Sequence, residues 1–335
     1  MFWFAIASLT PLLILFAACF WGGLWAPSAV LYMTVCVYLM DRLGRTTEAT
    51  DATNGADVLS VTLALGHLLL IPVLSFVCGT RSGLELVLLV IGSGLFMGQV
   101  SHPNAHELIH HPNRKLRRLG QTVYTSMLIG HHASAHMLVH HVHVASDRDP
   151  NSARLGEGFY AFWLRAWAGS FLQGFRAEAR LRTGRAGLNP YLAYAAGGVA
   201  TLVLAWSLGG LPAIVAVLLA CLYAQAQIFL ADYVQHYGLR RARHGDRLEP
   251  AGPQHSWNAP HWYSSALMLN APRHSDHHMN PGRRFPQLLL DEDMPTLPRS
   301  LPVMGVIALI PPLWRRIMDP RVALVQSRGQ PFAQV

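Results

Sequence analysis

Arg273-His274-Ser275-Asp276-His277-His278, close to the C-terminal end of the chain, carries three histidines at i, i+3 and i+4. Side chains at that spacing leave one face of a helix, so the three imidazoles can be aimed at one point. Two further stretches use the same grammar: His106-Glu107-Leu108-Ile109-His110 and His136-Met137-Leu138-Val139-His140-His141. Neutral imidazole is the commonest protein ligand for transition metals. Crowded imidazoles repel one another once protonated and gain nothing structurally unless something binds them. Three convergent clusters therefore predict a polynuclear metal site, and the rest of the sequence reads as its scaffold.

Outward from these words the chain is apolar. Of its 335 residues, 52% are hydrophobic and 13% charged, roughly half the ~25% charge of a soluble domain, and the mean hydropathy is +0.27. Six apolar runs fall at 2–20, 21–40, 58–79, 83–100, 191–208 and 211–231, each near the ~20 residues that cross a bilayer. Gly22-Gly23, Thr80-Arg81-Ser82 and Gly209-Gly210 join them into three tight hairpins. The first run lacks a basic n-region and a small-residue cleavage site, so it reads as a retained span rather than a signal peptide. The expected fold is all-α: one polytopic membrane domain over 1–335 with about six transmembrane helices. The polar segments 101–189 and 232–335 would carry every histidine cluster on one side. Residues 41–57 read as a loop. Phe159 to Arg182 reads as an amphipathic helix, interfacial or packed on the rest. The run 301–314, interrupted by Pro302, Pro311 and Pro312, reads as interfacial.

Charge and cysteines narrow the function. The net charge of +8 comes mainly from loops flanking apolar segments, such as Arg114, Lys115, Arg117, Arg118, Arg240, Arg241 and Arg243, while the opposite connections hold only Arg81. That is the positive-inside pattern of a membrane protein, with contact to anionic headgroups, rather than a nucleic-acid surface. It puts the histidine side in the cytoplasm of a bacterial inner membrane. Cys19, Cys36, Cys78 and Cys221 lie inside apolar runs and form no C-x-x-C pair, so an iron–sulfur or rubredoxin-type electron donor has to be a separate protein.

The clusters offer eight imidazoles and His236 adds a ninth. Nine are too many for one tetrahedral ion, since catalytic zinc takes about three protein ligands and a water, and are about right for two ions with open positions. His106 to His110 also fits H-E-x-x-H, the zinc-protease word, but the other clusters and the missing protease context weigh against it. Imidazole suits iron as well, and iron with open positions activates dioxygen. His67, His244 and His261 lie outside these words and read as packing residues.

Histidine boxes at the ends of membrane helices resemble the integral-membrane desaturase and hydroxylase superfamily. Within it the chain is similar to the alkane 1-monooxygenase family. The words that carry this are His106 to His110, His136-x-x-x-His140-His141 followed by Val144-Ala145-Ser146, and Tyr233-x-x-His236-Tyr237-Gly238-Leu239. His255-Ser256-Trp257-Asn258 and Arg273 to His278, continued by Asn280-Pro281-x-Arg283-Arg284, complete the set. The resemblance implies a non-haem diiron site held by His106, His110, His136, His140, His141, His236, His274, His277 and His278. It also implies terminal hydroxylation of a medium- or long-chain n-alkane with O2 as co-substrate and electrons from reduced rubredoxin, itself served by a reductase. The apolar substrate would enter from the bilayer lipid. Glu107, Gln235, His255 and Asp276 are candidates to support the ligands, and Gln99 and Val100 for the deep end of the substrate cavity. Ala135, Asp232 and Gln235 depart from the family pattern. Competing expectations are an aryl-methyl monooxygenase of the xylene type, a fatty-acyl desaturase or hydroxylase, and a membrane metal-binding protein without catalysis.

Overall fold

The computed structural model describes residues 1–44, 53–184, 187–245 and 247–328. Every apolar run becomes helical. α1 (Phe2–Trp21) ends at Gly22 and Gly23, whose φ of 66° and 60° lie in the left-handed region open to glycine. The chain returns as α2 (Trp25–Leu31), a π-helical turn (Tyr32–Cys36) and α3 (Val37–Asp41). Residues 45–52 of the expected 41–57 loop lie outside the described residues. α4 (Ala56–Val77) and α5 (Gly83–Phe96) form the second hairpin. The two hairpin tips are tied together: the Glu85 carboxylate accepts from the Gly23 N–H (3.0 Å) and pairs with Arg81 (3.4 Å).

α5 does not stop at the expected end of its run. It continues through a π-helical turn (Met97–Ser101) into α6 (His102–His110), giving one apolar rod from Gly83 to His110. α7 (Arg114–Ser126), capped by the Asn113 side chain on the Lys115 N–H (2.9 Å), then runs back along α6. A Cβ placed on Gly120 would lie 2.9 Å from the Ala105 carbonyl oxygen and 2.8 Å from Leu108 Cβ, so glycine sets this approach. After α8 (His131–Ala135), a π-helical turn (His136–His140) and α9 (His141–His143), α10 (Phe159–Leu181) packs one face on α8 and on the next helix. Its buried face carries Phe159, Phe162, Ala166 and Gly174. Leu164, Trp167 and Phe175 point outward, so the helix is amphipathic and packed at once.

The last two apolar runs form a single element, α11 (Tyr191–His236), broken at Gly210, where φ is 64° and ψ −151°. Among the described residues four helices are long and apolar enough to cross a bilayer: Phe2–Trp21, Ala56–Val77, Gly83–His110 and Pro190–His236. The last contains two of the six expected spans, and the π-helical turn interrupts another. Inward faces of these helices share one continuous core that includes Leu15, Leu63, Leu89, Phe96, Val217 and Phe229. Outward faces present Leu13, Phe20, Leu69, Phe76, Val203 and Leu222 to the surroundings, the polarity expected against lipid. The protein is an integral membrane protein.

The C-terminal part caps one end of the bundle. Asp41 Oδ1 accepts from the N–H groups of Tyr263 (3.0 Å) and Ser264 (2.9 Å) in the first turn of α12 (Trp262–Leu267). α13 (His274–Met279) follows, then α14 (Leu301–Ala308), too short to span, and α15 (Pro311–Arg328). Trp314 is buried 5.3 Å from the rings of both Tyr233 and Tyr237. Two-residue strands, Arg243–His244 and Arg247–Leu248, are paired antiparallel. The His244 side chain lies outside the described residues.

A Cβ on Gly209 would meet the Ser75 carbonyl oxygen of α4 at 2.1 Å, whereas one on Gly282 meets nothing within 4 Å. Gly209→Ala should therefore lower the thermal midpoint in detergent, at a cost of about 1–3 kcal/mol for overpacking, while Gly282→Ala should leave it unchanged. Equal midpoints would mean that α4 and α11 do not cross this closely.

Candidate metal centre

The helix ends bring nine histidines to one place. α6 delivers His106 and His110, the π-helical turn and α9 deliver His136, His140 and His141, α11 ends on His236, and α13 delivers His274, His277 and His278. Their ring nitrogens fall into two sets, within each of which all donor atoms lie within 4.8 Å of one another. One set is His106, His110, His136, His141 and His277, and the other is His140, His236, His274 and His278. The sets abut, with ring centroids of His141 and His278 4.7 Å apart and those of His136 and His140 5.1 Å apart.

This corrects one detail of the helical-face argument. Only the first word sends its histidines to a single point. The second word gives His136 and His141 to one set and His140 to the other, and the third gives His277 to one and His274 and His278 to the other. The extra residue in the π-helical turn at His136–His140 changes the facing of this word from the α-helical expectation.

The donor geometry fits a bound cation in each set. His136 Nε2 lies 2.8 Å from His106 Nε2 and 2.9 Å from His141 Nε2, and His277 Nε2 is 3.1 Å from His141 Nε2. In the second set His274 Nε2 is 3.0 Å from His236 Nε2 and 3.1 Å from His278 Nε2. A ring nitrogen offers a single in-plane site, either a proton or a lone pair, so hydrogen bonding cannot satisfy three converging nitrogens. Nitrogens each about 2.1 Å from a common ion stand about 3.0 Å apart when they subtend a right angle. His110 Nε2 and His140 Nε2 are buried without any hydrogen-bond partner.

The electrostatics keep most of these lone pairs free. Burial, reinforced by neighbouring imidazoles, pushes His136, His141, His277 and His278 well below the usual histidine range and His274 to about 3. His140 is different. Burial opposes its protonation too, but the Asp149 carboxylate, with Oδ2 2.9 Å from Nδ1, carries it above its ordinary value. Asp149 is fully enclosed, accepts from Ser152 Oγ (2.6 Å) and the Asn151 N–H (3.0 Å), and is held below the usual carboxylate range by His140 and those donors. Asn151 Nδ2 in turn donates to Asp232 (2.6 Å), the residue four before His236. Asp149 lies in the polar stretch Asp147-Arg148-Asp149-Pro150-Asn151, outside every histidine word. A carboxylate nine residues beyond His140 in a polar segment was the available signal.

The expected supporting residues lie further out. The Glu107 carboxylate accepts from Arg284 Nε (2.5 Å), Asp276 from Arg283 (2.6 Å), Asn280 and the Leu289 N–H, and His255 pairs with Glu249 (3.0 Å). Gln235 Nε2 donates to the Ala271 carbonyl (3.1 Å), and the Gln235 carbonyl accepts from the Trp257 N–H. Among the described residues none of these four side chains is hydrogen-bonded to a ring of the nine. Val100 is buried in the π-helical turn before α6, and Gln99 beside it is half-buried with Oε1 unpartnered. His67 bonds Ser101 and Ser126 (2.9 Å each), and His261 sits half-buried at the start of α12.

Fold and site together define a polytopic helical membrane protein with a polyhistidine centre at one end of its bundle. The sequence model of the fatty acid desaturase family matches residues 83–306, the segment that carries all nine histidines, and the chain belongs to that family. It is 34% identical over 241 residues to alkane 1-monooxygenase 1 of Pseudomonas aeruginosa, across 70% of this chain and 63% of that protein. It is 31% identical to alkane 1-monooxygenase 2 of Alcanivorax borkumensis, with the same coverages. The hydroxylase component of the xylene/toluene monooxygenase of Pseudomonas putida is 30% identical over 63% of this chain and 58% of its own length. The chain thus spans less than two thirds of the length of each of these relatives.

Asp149→Asn removes the charge that polarises His140 while keeping a side chain of similar shape. Loss of such a partner typically lowers metal affinity about 10–100-fold. Metal retained after dialysis against a graded chelator should fall accordingly in this variant, with the circular dichroism unchanged. Undiminished retention would detach Asp149 from the site.

Proposed function

We propose that this chain is a non-haem diiron monooxygenase that hydroxylates the terminal carbon of medium- or long-chain n-alkanes with O2. The observation that carries the reading is the division of nine imidazoles into abutting sets of five and four, all nitrogen and no carboxylate. Such donors suit iron, copper and zinc, and the likeness to alkane 1-monooxygenases favours iron. His106, His110, His136, His141 and His277 would hold one ion, and His140, His236, His274 and His278 the other. Bound iron supplies the activation of dioxygen. The balance is one alkane, one O2, two electrons and two protons giving one alkanol and one water.

The chain's own residues do the remainder. Asp149, hydrogen-bonded to Nδ1 of His140, fixes the ring plane and makes the imidazole the more basic ligand, with Nε2 as the remaining donor atom. The apolar cores of α5 and α11 exclude water from the membrane side, and an alkane dissolved in the bilayer can reach the helix ends laterally. Arg114, Lys115, Arg118 and Arg243 are exposed on polar segments near the helix ends that carry the centre. A basic rim there suits an acidic, separately encoded rubredoxin-type donor with its reductase. The same basic excess supports a cytoplasmic orientation in a bacterial inner membrane. A second reading, an aryl-methyl monooxygenase, is favoured by the likeness to the xylene/toluene enzyme component.

Protein purified in detergent should contain two iron ions per chain and little zinc. Given O2 and a reduced rubredoxin system, it should convert octane to 1-octanol. Benzylic alcohol from p-xylene with no octanol would keep the diiron reading and move the substrate, whereas zinc, or iron without O2-dependent product, would overturn it. His→Ala at any of the nine positions should abolish turnover.

A further inference from the structure

Three histidines outside the nine lie along the membrane side of the five-histidine set, and the scaffold treats them differently. His67 has both ring nitrogens satisfied by serine hydroxyls, Ser101 on Nδ1 and Ser126 on Nε2. His102, one turn before His106, has its Nδ1 2.9 Å from the Tyr124 hydroxyl. His132, only 1% exposed, has neither nitrogen bonded. Its ring lies 5.0 Å from Tyr124, 5.6 Å from His102 and 5.5 Å from His136, on which it stacks. Gln99, on the turn before His102, adds a buried amide oxygen without a partner.

A buried polar group with no partner is costly and calls for one, and ionisable side chains at membrane depth mark function more often than packing. A ring with one N–H and one lone pair complements a hydroxyl, which both donates and accepts. Among the described residues no lysine or arginine is hydrogen-bonded or ion-paired to His102, Tyr124 or His132, so an anion would be buried uncompensated.

The geometry points to a subsite, formed by His132 with Tyr124 and His102, that holds a neutral oxygen function of the substrate beside the five-histidine set. A chain bearing a hydroxyl near the carbon presented to the metals is then bound more tightly than the bare alkane, which the same centre still hydroxylates. This rests on the oxygenase reading above and deepens it. His132→Phe keeps an aromatic ring for the stack and removes both polar atoms, and Tyr124→Phe removes only the hydroxyl.

The test is calorimetric titration of iron-loaded protein in nanodiscs, without O2 or reductant, using 1-octanol, octane and octanoate and subtracting empty nanodiscs. The wild-type protein should bind 1-octanol about tenfold or more tighter than octane, since a site built around a hydroxyl discriminates against its absence, and octanoate no better than octane. His132→Phe should bind octane and 1-octanol alike, and Tyr124→Phe should narrow the gap. Equal binding by the wild-type protein, or an undiminished preference in both variants, overturns the subsite. If His132→Phe does not fold, Tyr124→Phe decides alone. Iron content and products from the same preparation separate the two readings. Preference without iron or oxygenated product removes the oxygenase and leaves the subsite, whereas turnover without preference does the reverse.

Discussion

Imidazoles can be packed ring against ring only while they stay neutral, and here enclosure favours the neutral form at most of them, with His140 beside Asp149 the exception. Burial and mutual repulsion both disfavour protonation, which frees the nitrogen lone pairs that converge in each set. Apart from Asp149 on His140, formal charge is moved one layer outward. Arg284 reaches Glu107, and also Asp57 at the start of α4 (2.5 Å), while Arg283 pairs with Asp276. These pairs explain why acidic residues sit inside the histidine words without joining the rings. They fasten α6 and α13 to the rest of the bundle, and the fastening fixes where the imidazoles point.

Much of this was legible because apolar length and histidine spacing act locally. The six runs emerge as helices, the paired glycines at 22–23 turn the chain, and Gly210 breaks α11 within one residue of the expected boundary. What was hidden depends on contacts far apart in sequence or on departures from the α-helical period. π-helical turns at Met97–Ser101 and His136–His140 add a residue to a turn, and no residue type in either stretch announces them. Each word appeared to serve one point, whereas the second straddles both sets across its π-helical turn and the third does so on a regular α-helix, because the two sets abut on either side of α13.

The supporting residues were illegible for a related reason. Glu107, Asp276 and His255 stood out by lying inside the words, yet proximity in sequence to a ligand says little about which way a helix turns it. Asp149 lies outside every word, and a tight turn with Ser152 and Asn151 brings it back onto His140. The sequence-adjacent carboxylates face out toward arginines and the sequence-distant one faces in. Composition could establish that carboxylates were available but could not sort them.

The two ends of the bundle divide the work. At one end short hairpins are locked by Arg81, Glu85 and the left-handed glycines, with few polar groups to satisfy. At the other, α6 and α11 carry histidines past the apolar rods, and long polar segments fold back to meet them. A stiff far end limits how the rods can shift, so the spacing between rings on α6, α11 and α13 is held by the whole membrane core rather than by the loops alone. The histidine rings are thus held where the rods end and polar chain begins, at the boundary between the apolar and the polar parts of the fold.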